Sequence, residues 1–391
     1  MIPGILVAFR TQKSVLVLLV ILGLCSTITS VLLWQQNYTV GHYGHWDADR
    51  YGLYAQKLAN YAADQQQREA IHKWFGSYPH LHNALAPTVV AVPIYLGADR
   101  DSAYLVFMSI CGFMGLLLFF RILNKRLGLS YRTSLVAVIF FGCHLLQLRS
   151  FSRAVTDELG LVLTLWTLDL LLARLETVII SETVSLAVLM FLHPLARPQG
   201  FVYLPFILAG VLFCDWWRTR QLHFKDMALT VTKLLVVPAI AIVFLYLIFD
   251  WFHNFQLSIE KAKIFQRFFT FRYFISSMIG LCQLLPVLWL IVRKQRLVNP
   301  STIILVAFGI CYLAMLTIVK APLWLRHFLP ILPVAVCLGA LGLEDIQSRV
   351  KKNTAMAIAL AISAANVALI IYQILLTERI PSAIRNFISS G

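Results

Sequence analysis

The chain has 391 residues, 59% of them hydrophobic and 13% charged, with a mean hydropathy of +0.77. That excludes a soluble globule of ordinary composition and points to a polytopic membrane protein. A net charge of +15 would suggest nucleic acid in a soluble chain, but no basic run or low-complexity arm carries it here. Lys and Arg instead gather at the ends of apolar segments, where they set topology or meet anionic headgroups, so a bilayer is expected as partner and nucleic acid is not.

The first apolar run, about 14 to 34, follows Arg10 and Lys13, which predicts a cytoplasmic N-terminus and an uncleaved first crossing. Residues 35 to 101 then form the one long hydrophilic stretch, too short for an independent domain of typical size. Within it, Asp47 to Ala63 and Gln65 to Phe75 have helical patterning. Ala84 to Ala98 is apolar but short and contains Pro87 and Pro93, so an interfacial or re-entrant helix is expected there. Ten further apolar runs follow, near 103–123, 133–148, 157–175, 183–196, 199–216, 229–250, 272–292, 301–319, 327–343 and 354–376. The expectation is therefore a single all-α domain, a polytopic bundle of about eleven transmembrane helices with juxtamembrane helices on the outer side after the first. The seven cysteines all fall in apolar runs with no CxxC spacing, which reads as packing rather than a disulfide framework or a zinc site.

Five stretches fall on the outer side in this register. The first is Gly41 to Tyr54, GHYGHWDADRYGLY, which places Asp47 and Asp49 among His42, His45, Trp46 and Arg50 just past the first crossing. Paired carboxylates there suit a general base, a metal ligand or a clamp on a sugar. The same residues also suit a plain helix start, with His45 or Asp47 as cap and Asp49 in the first turn. The second is YPHLHN, with His80 and His82. These are two residues apart and do not share a helix face, so they favour a Pro79-anchored turn over a metal pair.

Next comes SFSRAVTDELG, which carries Arg153, Asp157 and Glu158. Thr156-Asp157-Glu158 is a helix-start signature, yet two carboxylates at the edge of hydrocarbon also mark a candidate functional site. HPLARPQG puts Arg197 and Gln199 at a proline-broken helix end, where irregular backbone is tolerated mainly if it lines a cavity; snorkelling of Arg197 to headgroups is the alternative. Finally, KAPLWLRHFLPILP gathers Lys320, Arg326 and His327 around a second proline break. Carboxylates for a base together with Arg and Lys for an anion make the layout that moves a group off a phosphate.

These motifs, in this order and on one side, resemble the GT-C superfamily of integral-membrane glycosyltransferases, which use polyprenyl-phosphate-linked sugars. The resemblance covers nearly the whole chain and rests on HWDADRY, the stretch YPHLHNALAPTVVAVPIYLGA, TDE, LARPQGF and LRHFLPILP. Trp46-Asp47 and the Arg197 segment are similar to the GPI second mannosyltransferase group. The first-loop layout resembles protein O-mannosyltransferases and the aminoarabinose transferase of lipid A. The chain departs from the protein O-mannosyltransferases in lacking a large insert after the mid-chain crossings, and it has YPHLH where several relatives have Pro-Pro-Leu.

The resemblance implies an inverting transfer from a polyprenyl-phosphate sugar to a lipid, glycan or protein acceptor. It makes Asp47 the general base, with Asp49 as second choice. Asp157 and Glu158 would orient acceptor or sugar, while Arg197, Lys320 and Arg326 would neutralise the leaving phosphate. His45, Trp46, Arg50, His80, Arg153, Gln199 and His327 complete the candidate substrate-binding set. No cofactor is required, because the phosphate is already a competent leaving group; a divalent metal stays open, since some relatives bind one.

Two other classes use similar charges. A transporter or flippase would show repeated halves, and none is visible; a polymerase or ligase of lipid-linked glycans would place its main hydrophilic loop later. Asn37-Tyr38-Thr39 matches a glycosylation sequon almost against the membrane, but short loops favour a bacterial cytoplasmic membrane over the endoplasmic reticulum.

Overall fold

In the computed structural model the structure describes residues 45–63, 84–142, 147, 157–197, 200, 202–221, 224–249, 299–318 and 329–347. Those residues are helical wherever they are regular. We number the helices α1 (His45–Ala63), α2 (Leu85–Tyr95), α3 (Arg100–Arg121), α4 (Tyr131–Gly142) and α5 (Asp157–Arg174). They continue as α6 (Ile180–Ala196), α7 (Tyr203–Thr219), α8 (Phe224–Phe249), α9 (Pro300–Ile318) and α10 (Leu332–Gln347). The expected runs at 14–34, 272–292 and 354–376, and the helix at 65–75, lie outside the described residues.

Helix α5 is the axis of the bundle. Its sequence, DELGLVLTLWTLDLLLAR, carries leucines on every face, with Asp169 as the one interior charge, the pattern of a helix enclosed on all sides. Leu161, Leu163, Leu165, Leu168, Leu170, Leu171 and Leu172 are all buried in the main core. Helix α3 runs parallel to it, with Gly115 level with Val162 and Leu165 and Arg121 paired to Asp169. Helix α6 returns antiparallel: Arg174 donates to Thr183 while Thr167 pairs with His193. Helix α7 is parallel again, with Tyr203 against Thr164 and Asp215 against Arg174. Its Gly210 allows the close approach, since a Cβ there would press on Leu171 at 3.1 Å. Helix α9 closes this side through Phe308 and Tyr312, which pack against Tyr203 and Phe206.

Helices α1 and α2 form a second, smaller core with the start of α3. Tyr51, Ala55 and Ala59 bury against Val90, Ala91, Ile94, Ala103 and Tyr104, and the Tyr104 hydroxyl donates to the Tyr51 carbonyl at 3.0 Å. Small residues at a four-residue spacing let α1 lie close to α2. Burial pushes the Tyr54 phenol up, so it remains a neutral donor on this face. Asp99 caps α3 by accepting from the Ser102 amide at 2.9 Å, and those bonds hold its carboxyl below the usual range.

By length and composition, Arg100–Arg126 and Leu329–Ile346 are apolar enough to cross a membrane. Leu85–Tyr95, Tyr131–Gly142, Ile180–Ala196, Met227–Ile240 and Pro300–Met315 are shorter apolar helices.

Candidate functional site

The site is built at the Asp157 end of α5, where α6 breaks. Pro194 lies inside the last turn of α6, and the helix stops at Ala196. Proline cannot donate to the preceding turn, which weakens the helix at that point. Arg197 follows in an extended conformation, φ −154 and ψ 146, with its amide bonded to the His193 carbonyl at 3.0 Å. Gly200 then donates to the Arg197 carbonyl at 2.8 Å. A Cβ on Gly200 would collide with the His193 carbonyl and the Pro194 nitrogen, so only glycine fits this tight turn.

The turn delivers Arg197 to Asp157. Nη2 lies 2.6 Å from Oδ1, and both side chains are almost wholly buried, at 8% and 4% exposed. Gly160 makes this reach possible, because a Cβ there would meet Arg197 Cδ at 2.8 Å. The neighbouring Glu158 accepts from Gln147 Nε2 at 3.0 Å. Helix geometry also favours these carboxylates at the start of α5, where they face the positive end of the dipole.

The pair is not closed on itself. Among the described residues, Arg197 Nη1 and Asp157 Oδ2 are buried without a hydrogen-bond partner. Buried polar atoms are usually satisfied, and a buried ion pair repays its desolvation only when the remaining valences are filled. One open donor and one open acceptor in the same buried pair suit a ligand that brings an anionic oxygen and a hydroxyl.

Beside the pair lies a narrow pocket lined by Gly160, His193, Arg197, Gly200, Tyr203, Tyr312 and Pro330. His193 stacks on Tyr203 with ring centroids 3.6 Å apart and planes 8° apart. Its Nε2 shares a 2.9 Å hydrogen bond with the Thr167 hydroxyl, and the Tyr203 hydroxyl pairs with Thr164. His193 and Tyr203 in the wall of the pocket are therefore both tied to α5. Thr164, Thr167, His193, Tyr203 and Tyr312 are absent from the sequence-derived set. The signal that could have found them is the row of hydroxyls in the otherwise apolar α5, matched by polar groups across the α6 break.

The sequence-derived residues divide into three groups. Asp157 and Arg197 are brought together, with Glu158 next to them. His45, Trp46, Asp47, Asp49 and Arg50 lie in the first described turns of α1. Asp47 precedes Tyr51 by one turn, and Tyr51 meets α3 at Tyr104. Tyr104 lies seven residues before Cys111, whereas Gly115 is level with Val162. Tyr104, where Tyr51 docks, therefore lies about 10 Å beyond the Asp157 end of α5 along the α3 axis at 1.5 Å per residue. His80, Arg153, Gln199, Lys320, Arg326 and His327 lie outside the described residues. The segment carrying the last three joins α9 to Pro330, and Tyr312 of α9 and Pro330 both line the pocket. Among the described residues no three His, Cys, Asp or Glu side chains form a group that could hold a metal ion.

The other end of α5 holds a second charged cluster that sequence reading missed. Asp169, fully buried, meets Arg126 at 3.0 Å and Arg121 at 3.2 Å. Arg174 forms a two-pronged bond to Asp215, at 2.9 and 2.8 Å, and a further one to Thr183 at 2.9 Å. Asp157 and Asp169 are twelve residues apart on one helix, about 18 Å, so the clusters are separate.

No protein-family model matches the chain, and no curated protein sequence matches it. Among solved structures it is similar to ArnT from Cupriavidus metallidurans, crystallised bound to undecaprenyl phosphate, with a TM-score of 0.58 and 17% identity. The match covers 90% of this chain and 64% of that one, so the chain spans less than two thirds of the length of the protein it matches. The likeness is one of fold alone: an all-helical arrangement, as in the described residues of this chain.

Proposed function

We propose that the chain is a membrane glycosyltransferase of the GT-C type that takes its sugar from a polyprenyl-phosphate donor. The observation that carries the reading is the buried Asp157–Arg197 pair with one donor and one acceptor left open, set at a helix break in a fold shared with ArnT. That ArnT was crystallised with undecaprenyl phosphate supports a donor of the same chemical class.

In this reading the acceptor hydroxyl gives its proton to Asp47, with Asp49 as the alternative base. The acceptor oxygen bonds to the anomeric carbon with inversion while the sugar–phosphate C–O bond breaks, and the lipid phosphate leaves with the electron pair. A positioned base accelerates such a step by about 10²–10⁴. Arg197, joined by Lys320 and Arg326, meets the charge that develops on the phosphate. Asp157 acts as a positioning residue: it holds one arm of the guanidinium so that Nη1 is aimed at a phosphate oxygen. Glu158, with His45, Trp46, Arg50, His80, Arg153, Gln199 and His327, would line the sugar and acceptor sites. The reaction proceeds outside the cytoplasm, in a bacterial cytoplasmic membrane.

The test is to incubate purified protein with a panel of polyprenyl-phosphate sugars and measure released lipid phosphate. One donor should be consumed by the wild type. The Asp47→Asn and Asp47→Ala variants, inserted and folded as judged by their melting profile, should release none. Full activity in both would remove Asp47 as base, and no turnover of any donor by the wild type would remove the reading.

A further inference from the structure

The end of α7, Asp215-Trp216-Trp217-Arg218-Thr219-Arg220, plays no part in the proposed transfer. Arg220 closes the helix with φ 56 and ψ 13, a left-handed conformation that glycine ordinarily fills. It is the one non-glycine residue with positive φ among those described. A strained backbone carrying a long side chain points to work done by that side chain.

The turn is locked. The Arg220 amide donates to the Trp216 carbonyl at 2.7 Å, and the Thr219 hydroxyl donates to the Asp215 carbonyl at 2.8 Å while accepting from the Gln221 amide. This places the Arg220 guanidinium 4.1 Å from the Trp217 ring centre and 5.7 Å from that of Trp216. Indole faces hold a guanidinium flat through its charge and leave its N–H edge outward. Among the described residues that edge has no hydrogen bond or ion pair. The nearest acid in sequence, Asp215, is already taken by both prongs of Arg174.

The surroundings add charge and then hydrocarbon. Arg218, two residues before Arg220, and Lys225, five after it, are exposed, and Lys233 is exposed two turns into α8. Further along the same helix, Val236, Ile240 and Val243 are exposed and apolar. A face that passes from cations and indoles to aliphatic side chains matches the passage from headgroups to acyl chains.

We propose that Arg220, backed by Trp217 and Trp216 and flanked by Arg218 and Lys225, binds the phosphate diester of an anionic phospholipid headgroup. The pinned guanidinium offers the fork that a phosphate accepts, and the flanking cations repel the ammonium of a zwitterionic headgroup. The inference rests on the membrane embedding of the chain and stands apart from glycosyl transfer.

The test uses the full-length protein purified in neutral detergent and measures retention of added phosphatidylglycerol and phosphatidylcholine by native mass spectrometry. The wild type should retain phosphatidylglycerol about fivefold better, the preference that one well-placed arginine at a membrane surface supplies. Arg220→Gly relieves the backbone strain, so its melting temperature without lipid should hold or rise while the preference disappears. Trp217→Leu should also lose it. Equal retention of the two lipids by the wild type, or an intact preference in Arg220→Gly, would overturn the proposal. Complete displacement of the lipid by inorganic phosphate at matched concentration would overturn the lipid as ligand.

Discussion

The two ends of α5 carry the same kinds of residue and use them differently. At the Arg174 end, the guanidinium spends three N–H groups on Asp215 and Thr183, and Asp169 draws Arg121 and Arg126 onto one carboxylate oxygen. At the Asp157 end, Arg197 and Asp157 meet through one atom each and leave one donor and one acceptor open. Arg174 closes its valences, although Asp169 Oδ2, like Asp157 Oδ2, is buried without a hydrogen-bond partner among the described residues. Open valences inside a buried pair cost stability; what sets the Asp157 end apart is that its open donor belongs to Arg197, which lines the pocket.

The same conservative change made at both ends should have opposite consequences. Arg197→Lys keeps a cation for Asp157 but removes the second prong, and transfer should fall by about a hundredfold, the loss seen when one charge-stabilising donor is removed. Its melting temperature should change little. Arg174→Lys should instead lower stability by about 1–3 kcal/mol, since hydrogen bonds to a charged group are lost, and leave transfer per folded molecule unchanged. If the two variants behave alike in both assays, the functional distinction between the ends is wrong.

Glycine gives a finer comparison. Gly160→Ala drives a methyl against Arg197 Cδ at 2.8 Å, so it should cost about 1–3 kcal/mol of overpacking and reduce transfer by displacing the guanidinium. Gly115→Ala places its methyl 3.9 Å from the nearest side chains, an ordinary contact. It should be neutral or stabilising by about 0.5–1 kcal/mol, because alanine is the better helix former. Chemical denaturation alongside the release assay separates these outcomes.

Thr164→Val removes the hydroxyl that Tyr203 pairs with and should cost about 1 kcal/mol. Transfer should drop modestly as the pocket wall loosens, read as a rise in KM for the donor. The smallest effect lies far from both clusters. The Asp99 carboxyl is held below its ordinary value by Ser102, so its cap stabilises α3 above the unfolded carboxylate range. That contribution is lost as pH falls through the depressed folded value. Asp99→Asn should flatten this part of the acid limb of a melting-temperature profile and leave the neutral region nearly unchanged.

Much of the helix layout was legible in the sequence. The run expected at 157–175 is α5, 183–196 falls within α6, and 301–319 matches α9 to within one residue at each end. The break at HPLARPQG is also where α6 stops. Hydropathy and proline positions suffice for this, because a bundle needs apolar segments of a given length whatever their neighbours. Partnership across space was less legible. Asp157 and Arg197 were both singled out, yet their pairing depends on the α5–α6 register and on the missing Cβ of Gly160. Asp169 passed unnoticed inside an apolar run because its partners, Arg121 and Arg126, come from a different helix. His193 was read as part of a break, whereas its stacking on Tyr203 needs α7 to return beside α6.

A single reaction centre requires Asp47 and the late cations to share one side of the membrane, opposite the Arg220 turn. Single cysteines at positions 47, 326 and 220, introduced into a chain lacking its seven native ones, can be labelled in sealed vesicles with an impermeant maleimide. Positions 47 and 326 should react from the same face, and position 220 only after the membrane is permeabilised. Labelling of 47 and 326 from opposite faces would contradict a common reaction centre and with it the transferase mechanism.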